Sequence, residues 1–183
     1  MTRTRFFVLL LSLSLVTTIA AGGEKTADKR AKIDATAQEA LDTVFAKNDK
    51  AKSLYNKAYG YAVFDNLKLS LGVSGGGGVG VAVDKSSGGR TYMRMGTGGL
   101  NLGLGGQKYQ LVFLFQDAQT FGRFVDSGWQ ADAQANAVAG NLGANAGATF
   151  TNGIAVFQLT EAGLMLQADI AGTKYWKAKK LNR

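Results

Sequence analysis

The amino-acid sequence predicts an α+β fold: N-terminal helices packed on a glycine-rich, mainly antiparallel β-sheet or barrel-like sheet, with one short helix inserted. Three observations carry this. Residues 24–58 repeat apolar side chains every three or four positions, as one face of a helix does. From Tyr61 onward, apolar residues alternate or run continuously, as strands do. More than half of the 25 glycines fall between Gly72 and Gly106, alternating with branched or long apolar residues.

The N-terminal 22 residues read as an export signal. Arg3 and Arg5 form a basic start, Phe6 to Ile19 an apolar stretch, and Ala20, Ala21, Gly22 and Gly23 a small-residue cleavage region. The apolar stretch is short for a bilayer span, which takes about 20 residues. Residues 23–183 then form a single domain, helical over 23–58 and mainly β over 59–183. In the helical part, Ile33, Ala37, Ala40, Leu41, Val44 and Phe45 make one stripe. Asn48-Asp49 interrupts it before a second short helix at 50–58.

The strand region begins at Tyr61-Ala62-Val63-Phe64. Over 71–83, Leu71, Val73, Val79, Val81 and Val83 point one way, and Gly72, Ser74, Gly76, Gly78, Gly80 and Ala82 the other. A strand at 96–106 repeats the pattern. One bare face invites close approach of another element, for which the N-terminal helix is the first candidate. Ser86-Ser87-Gly88-Gly89 reads as the turn between strands 71–84 and 90–96, and Tyr109 to Phe115 as a buried central strand. Asp117 is placed to cap a helix at 118–127, and Gly128 to end it. Small residues alternate again over 129–150. Strands at Ile154 to Leu159 and Leu164 to Ile170 follow, joined by a turn near Thr160-Glu161-Ala162-Gly163.

Composition excludes several chemistries. The chain has no cysteine, no histidine and no proline. That removes disulfides, thiolate chemistry, and the commonest general base and metal ligand. Gly75, Gly77 and Gly80 fit a dinucleotide fingerprint, but a strand continues where that motif needs a helix. Gly72, Ser74 and Gly76 fit a nucleophile elbow, but a serine hydrolase needs a base and no histidine exists to supply one. The sequence therefore predicts no enzyme, no cofactor and no metal site. The scattered acids, such as Asp126 and Asp132, fit no metal loop.

The basic residues are more informative. The formal charge is +8. Removing Arg3 and Arg5 from 21 basic residues leaves 19 against 13 acidic, a charge of +6. After Asp169 come Lys174, Lys177, Lys179, Lys180 and Arg183, with Tyr175 and Trp176 among them and no acid. Cations attract anionic headgroups and Trp and Tyr prefer the headgroup region. Lys174, Lys177, Lys179, Lys180, Tyr175 and Trp176 are thus the candidate lipid-binding residues. The other reading is a solvated C-terminus whose Tyr175 and Trp176 complete the core. The helical segment is a second candidate, with Lys25, Lys29, Arg30, Lys32, Lys47, Lys50, Lys52 and Lys57.

The order of segments resembles the SYLF domain, a lipid-binding module of yeast and animal endocytic actin-patch proteins and of many exported bacterial proteins. The residues that carry the likeness are Lys57 to Phe64, the glycine strand Gly72 to Val83, and Thr91-Tyr92-Met93. They continue with Gly105-Gly106-Gln107 leading into Leu111-Val112-Phe113, Leu159 to Leu164, and Gly172 to Trp176. The resemblance implies binding of anionic phospholipids (phosphoinositides in the eukaryotic members) and no enzymatic activity. It implies a contribution from basic residues, including those of an amphipathic N-terminal helix. This chain has an export signal and no SH3 or FYVE domain, so actin binding is not carried over. The anions open to an exported bacterial-type protein are phosphatidylglycerol, cardiolipin and lipid A. The expected function is binding to an anionic phospholipid membrane, peripherally, in the periplasm or outside the cell, with no nucleic acid as partner. An outer-membrane barrel or an envelope-assembly subunit with a protein partner is the alternative, and a serine hydrolase using Ser74 the third.

Overall fold

The computed structural model describes residues 17–130, 149–165 and 172–183. The order is α1 (Thr17–Lys47), α2 (Asp49–Lys57), β1 (Gly60–Asp84), β2 (Arg90–Phe115), α3 (Ala118–Asp126), β3 (Trp129–Gln130), β4 (Ile154–Thr160), β5 (Gly163–Met165), β6 (Thr173–Lys177) and a 3-10 turn at Lys179–Leu181. It is an α+β fold with α1 packed on an antiparallel sheet. Most of the expected signal (1–16) and the small-residue alternation at 131–148 lie outside the described residues. Residues 17–22 begin α1. Within the described residues no helix is long and apolar enough to cross a membrane.

The helix break falls where expected. Asn48 leaves helical backbone, and its side chain accepts from the Ala51 amide at 3.0 Å, which starts α2. The C-terminal carbonyls of α2 are met by Lys85, whose ammonium donates to Tyr55 O and to Ala58 O. Burial pushes the Lys85 pKa down. Asp117 caps α3 by accepting from the Thr120 amide at 2.8 Å. Gly128, at φ +71°, turns the chain after α3 in the left-handed region that glycine tolerates.

The separate strands expected at 71–84, 90–96, 96–106 and 109–115 are two long ones. β1 and β2 form an antiparallel ribbon paired from Gly60↔Phe115 to Val83↔Arg90, with one shift of register between Leu71 and Val73. On its other edge β2 pairs with β6 through its first half and with β4 through its second. The strand order β3-β6-β2-β4-β5 ends on β3 and β5 without returning, so among the described residues the sheet is open and no barrel closes. The last expected strand is described only as β5, since 166–171 lie outside the described residues.

The sheet separates two apolar cores. On the helix face, Ala37, Ala40, Leu41 and Val44 of α1 meet Val63, Val81, Val83, Val112 and Phe157. On the other face, Phe64, Phe113, Phe115, Val156 and Tyr175 meet Phe124 and Val125 of α3. The bare glycines are not filled by the N-terminal helix, as the alternation suggested. The helix lies on the valine side. A Cβ on Gly76, Gly78 or Gly80 would run into the carbonyl oxygens of Leu67, Asp65 and Val63 respectively. The ribbon doubles back, and the first half of β1 lies on its own second half. Glycine permits the approach because nothing larger than hydrogen stands between the backbones.

Candidate lipid-binding face

The helix stripe that packs on the sheet fixes what stands beside it. Lys25, Lys29 and Lys32 follow one another at four and three residues, one line along α1 next to half-buried Ile33 and buried Ala37. All three are exposed. Between this line and the sheet runs a groove of about 410 Å³. Its floor is Ile33, Ala37, Val63, Val79, Gly80 and Leu181. Its rim carries Lys25, Lys29, Lys32, Arg94 of β2 and Lys180 of the 3-10 turn, with Asp65 the sole acid among the lining residues. Five cations thus stand around an apolar floor, a chemistry that would suit a group anionic at one end and apolar at the other.

The C-terminus is held against this groove by α1 itself. Arg30 donates through Nε to Leu181 O at 2.9 Å and through Nη2 to Arg183 O at 2.6 Å, and its guanidinium lies 5.6 Å from the Tyr92 ring centre. Asn182 donates to Tyr92 O at 2.7 Å and accepts from Tyr92 N at 2.9 Å. The Tyr92 hydroxyl donates to Asp34 at 3.0 Å. Burial, and then this bond to a carboxylate, push the Tyr92 pKa up. The tail is therefore a docked part of the fold, and Lys180 is a fixed member of the rim.

The six residues predicted from sequence divide. Lys180 lines the groove beside α1, and Lys179 and Lys180 line a smaller adjoining one with Arg94 and Trp176. Lys174 is exposed on β6, and Trp176 stands 40% exposed on the same side of the sheet. Lys177 also lines that smaller groove, and its ammonium bonds Asp126 of α3 at 2.8 Å. Tyr175 is fully buried among Phe64, Phe113, Phe124 and Trp129, so it belongs to the core and not to an interface. Burial pushes its hydroxyl pKa well up.

Arg94 was not singled out from sequence, and it lines both of these grooves. Its signal was present: Met93 and Met95 are buried and Arg94 between them faces out, as strand alternation requires. The nucleophile-elbow serine lies within the β1–β2 ribbon. Ser74 is 9% exposed and its hydroxyl donates to Gly99 O at 3.1 Å. Among the described residues, no group of three acidic side chains is placed to hold a metal.

No family model matches the chain. The chain is similar to "Beta cell expansion factor A" of Aeromonas veronii, at 45% identity over 158 residues, which is 86% of this chain. The chain spans about 60% of the length of that curated relative.

Proposed function

We propose that this protein binds anionic phospholipid at a membrane surface, without enzymatic chemistry, through the groove between α1 and the sheet. The observation that carries the reading is the convergence of Lys25, Lys29, Lys32, Arg94 and Lys180 around an apolar floor with one acid among them. A basic residue near an anionic membrane surface contributes about 1 kcal/mol. The cations come from three separate elements, so the folded chain, and no single segment, presents them. The resemblance to the SYLF domain points the same way. With the export signal read from the first 22 residues, the membrane is met from the periplasm or from outside a cell. The relative's name describes an effect on beta cells and no ligand, so the chemistry of this reading rests on the groove.

Vesicle sedimentation tests it. The protein is expected to pellet with phosphatidylglycerol vesicles and not with phosphatidylcholine vesicles. Binding should be lost at about 1 M salt, where charges are screened beyond about 3 Å. The combined Lys29→Ala, Lys32→Ala, Arg94→Ala and Lys180→Ala variant should lose most of the binding at low salt. Equal binding to both vesicles, or full binding by this variant, would refute the groove.

A further inference from the structure

The helix face of the sheet continues beyond the cover of α1, and its composition there is unusual. Strand alternation puts Leu67, Leu69 and Val79 of β1, Arg94 and Lys108 of β2, and Trp176 of β6 on this one side. The register pairs Leu67 with Lys108, and Val79 with Arg94, which in turn pairs with Trp176. Leu67, Leu69, Val79 and Trp176 are large hydrophobic side chains that stand 45%, 55%, 38% and 40% exposed. Single exposed apolar residues are ordinary, but a cluster on one side marks an interaction surface. The Trp176 ring lies against Gly96, where a Cβ would stand 3.2 Å from it, so the indole is seated on the sheet.

Charge selects the partner. Leu67, Val79, Trp176, Arg94 and Lys108 share a groove of about 420 Å³ in which Asp65 is the sole acid. Two copies of this chain meeting through the face would bring the Arg94 and Lys108 cations of both together. An anionic bilayer opposes no like charge and offers an apolar layer directly beneath its phosphates. Indole and cation side by side suit that boundary.

We propose that this open sheet face is the surface that enters the membrane. Leu67, Leu69, Val79 and Trp176 reach the boundary between headgroups and acyl chains, and Arg94 and Lys108 stand at the level of the phosphates. The proposal rests on the anionic-lipid reading above and adds the inserting face and its depth. The lysines of α1 then lie at the rim of the contact.

Fluorescence quenching tests the depth. In a Trp129→Phe background, Trp176 reports its own surroundings, and Leu69→Trp with both native tryptophans changed to Phe reports the ribbon. On phosphatidylglycerol vesicles carrying acyl-chain bromines, both emissions should shift to the blue and be quenched. A Gln119→Trp probe on exposed α3, with both native tryptophans likewise changed to Phe, should not. Leu69→Asn, at an exposed position that leaves the core intact, should weaken vesicle binding about tenfold, which is the apolar transfer of one leucine in part. Unquenched probes on protein that still sediments would overturn the insertion and leave anionic binding standing. Failure to sediment with any anionic vesicle would bring down both readings. A dimer in solution that Leu69→Asn converts to monomer, with unchanged vesicle binding, would assign the face to a second copy and overturn the proposal.

Discussion

Tyr175 shows how a single side chain can be misread from its neighbours in sequence. It stands between Lys174 and Trp176, both exposed, and yet it is the largest of the fully buried side chains. The reason is the period of two in β6, which sends Tyr175 into the aromatic core while Lys174 and Trp176 face outward. Its hydroxyl has no hydrogen-bond partner among the described residues. A buried polar group left unpaired costs about 1–3 kcal/mol. Tyr175→Phe should therefore keep or raise stability, by about 1 kcal/mol, and leave vesicle binding unchanged. Urea denaturation and sedimentation check the two halves. A lowered urea midpoint would mean that the hydroxyl has a partner, and weakened binding would return Tyr175 to the interface. The alternative weighed from sequence, that this aromatic completes the core, holds for Tyr175 and fails for Trp176. Nothing in residues 173–177 alone tells which register they take, because a shift by one residue exchanges the two rings.

At the level of elements, the local signals were legible and the long-range ones were not. Of the stripe, Ala37, Ala40, Leu41 and Val44 are buried and Ile33 and Phe45 half-buried at its margins, and Asn48, Asp117 and Gly128 act as the caps and stop their chemistry suggests. The groove was half legible. The α1 lysines and Lys180 stood out as basic runs, whereas Arg94 comes from a strand and joins them only through the fold. The alternation of glycine and valine in β1 announced a bare face, but what covers it depends on the ribbon doubling back, a contact between residues well separated in sequence. That contact makes a sharp prediction. A Cβ at Gly78 would meet Asp65 O and the Asn66 side chain closer than any real contact, while at Gly75 nothing lies within 4 Å. Gly78→Ala should destabilise by about 1–3 kcal/mol, the usual cost of overpacking. Gly75→Ala should stay within about 0.5 kcal/mol of the parent, as surface changes do. Thermal or urea unfolding of the pair decides. Equal effects would mean that the two halves of β1 do not touch.

On the scale of the molecule, the question is how the helical layer is fastened to the sheet that shares the groove with it. Apolar packing joins the two layers, and two polar joints add to it. One is Arg30 on the carbonyls of the C-terminus. The other gathers the end of α2, the start of β1 and the β1–β2 turn around Asp84 and Lys85. The Tyr59 hydroxyl donates to Asp84 at 2.8 Å, the Ser86 hydroxyl donates to it at 2.6 Å, and Lys85 reaches back to the carbonyls of α2. The Ser86 hydroxyl first, then Tyr59 and the amides of Ser86 and Ser87, hold the Asp84 carboxyl well below the usual carboxylate range, against the opposing effect of burial. The Thr120 amide does the same, more mildly, for Asp117. A carboxylate whose pKa is lower folded than unfolded stabilises the fold above its unfolded value of about 3.9, and that contribution fades as pH falls through the folded value. The parent protein should thus hold a level stability from neutrality down to about pH 4 and lose it below. Asp84→Asn keeps the shape and removes the charge, so its deficit against the parent should be full at neutral pH and shrink as the pH drops below about 4. Urea midpoints of the two proteins across that range measure this directly. A deficit that stays constant with pH would show that the joint depends on the two acceptor oxygens of Asp84 and not on its charge. The helical layer would then be expected to stay seated on the sheet, with the groove intact, in acid as well.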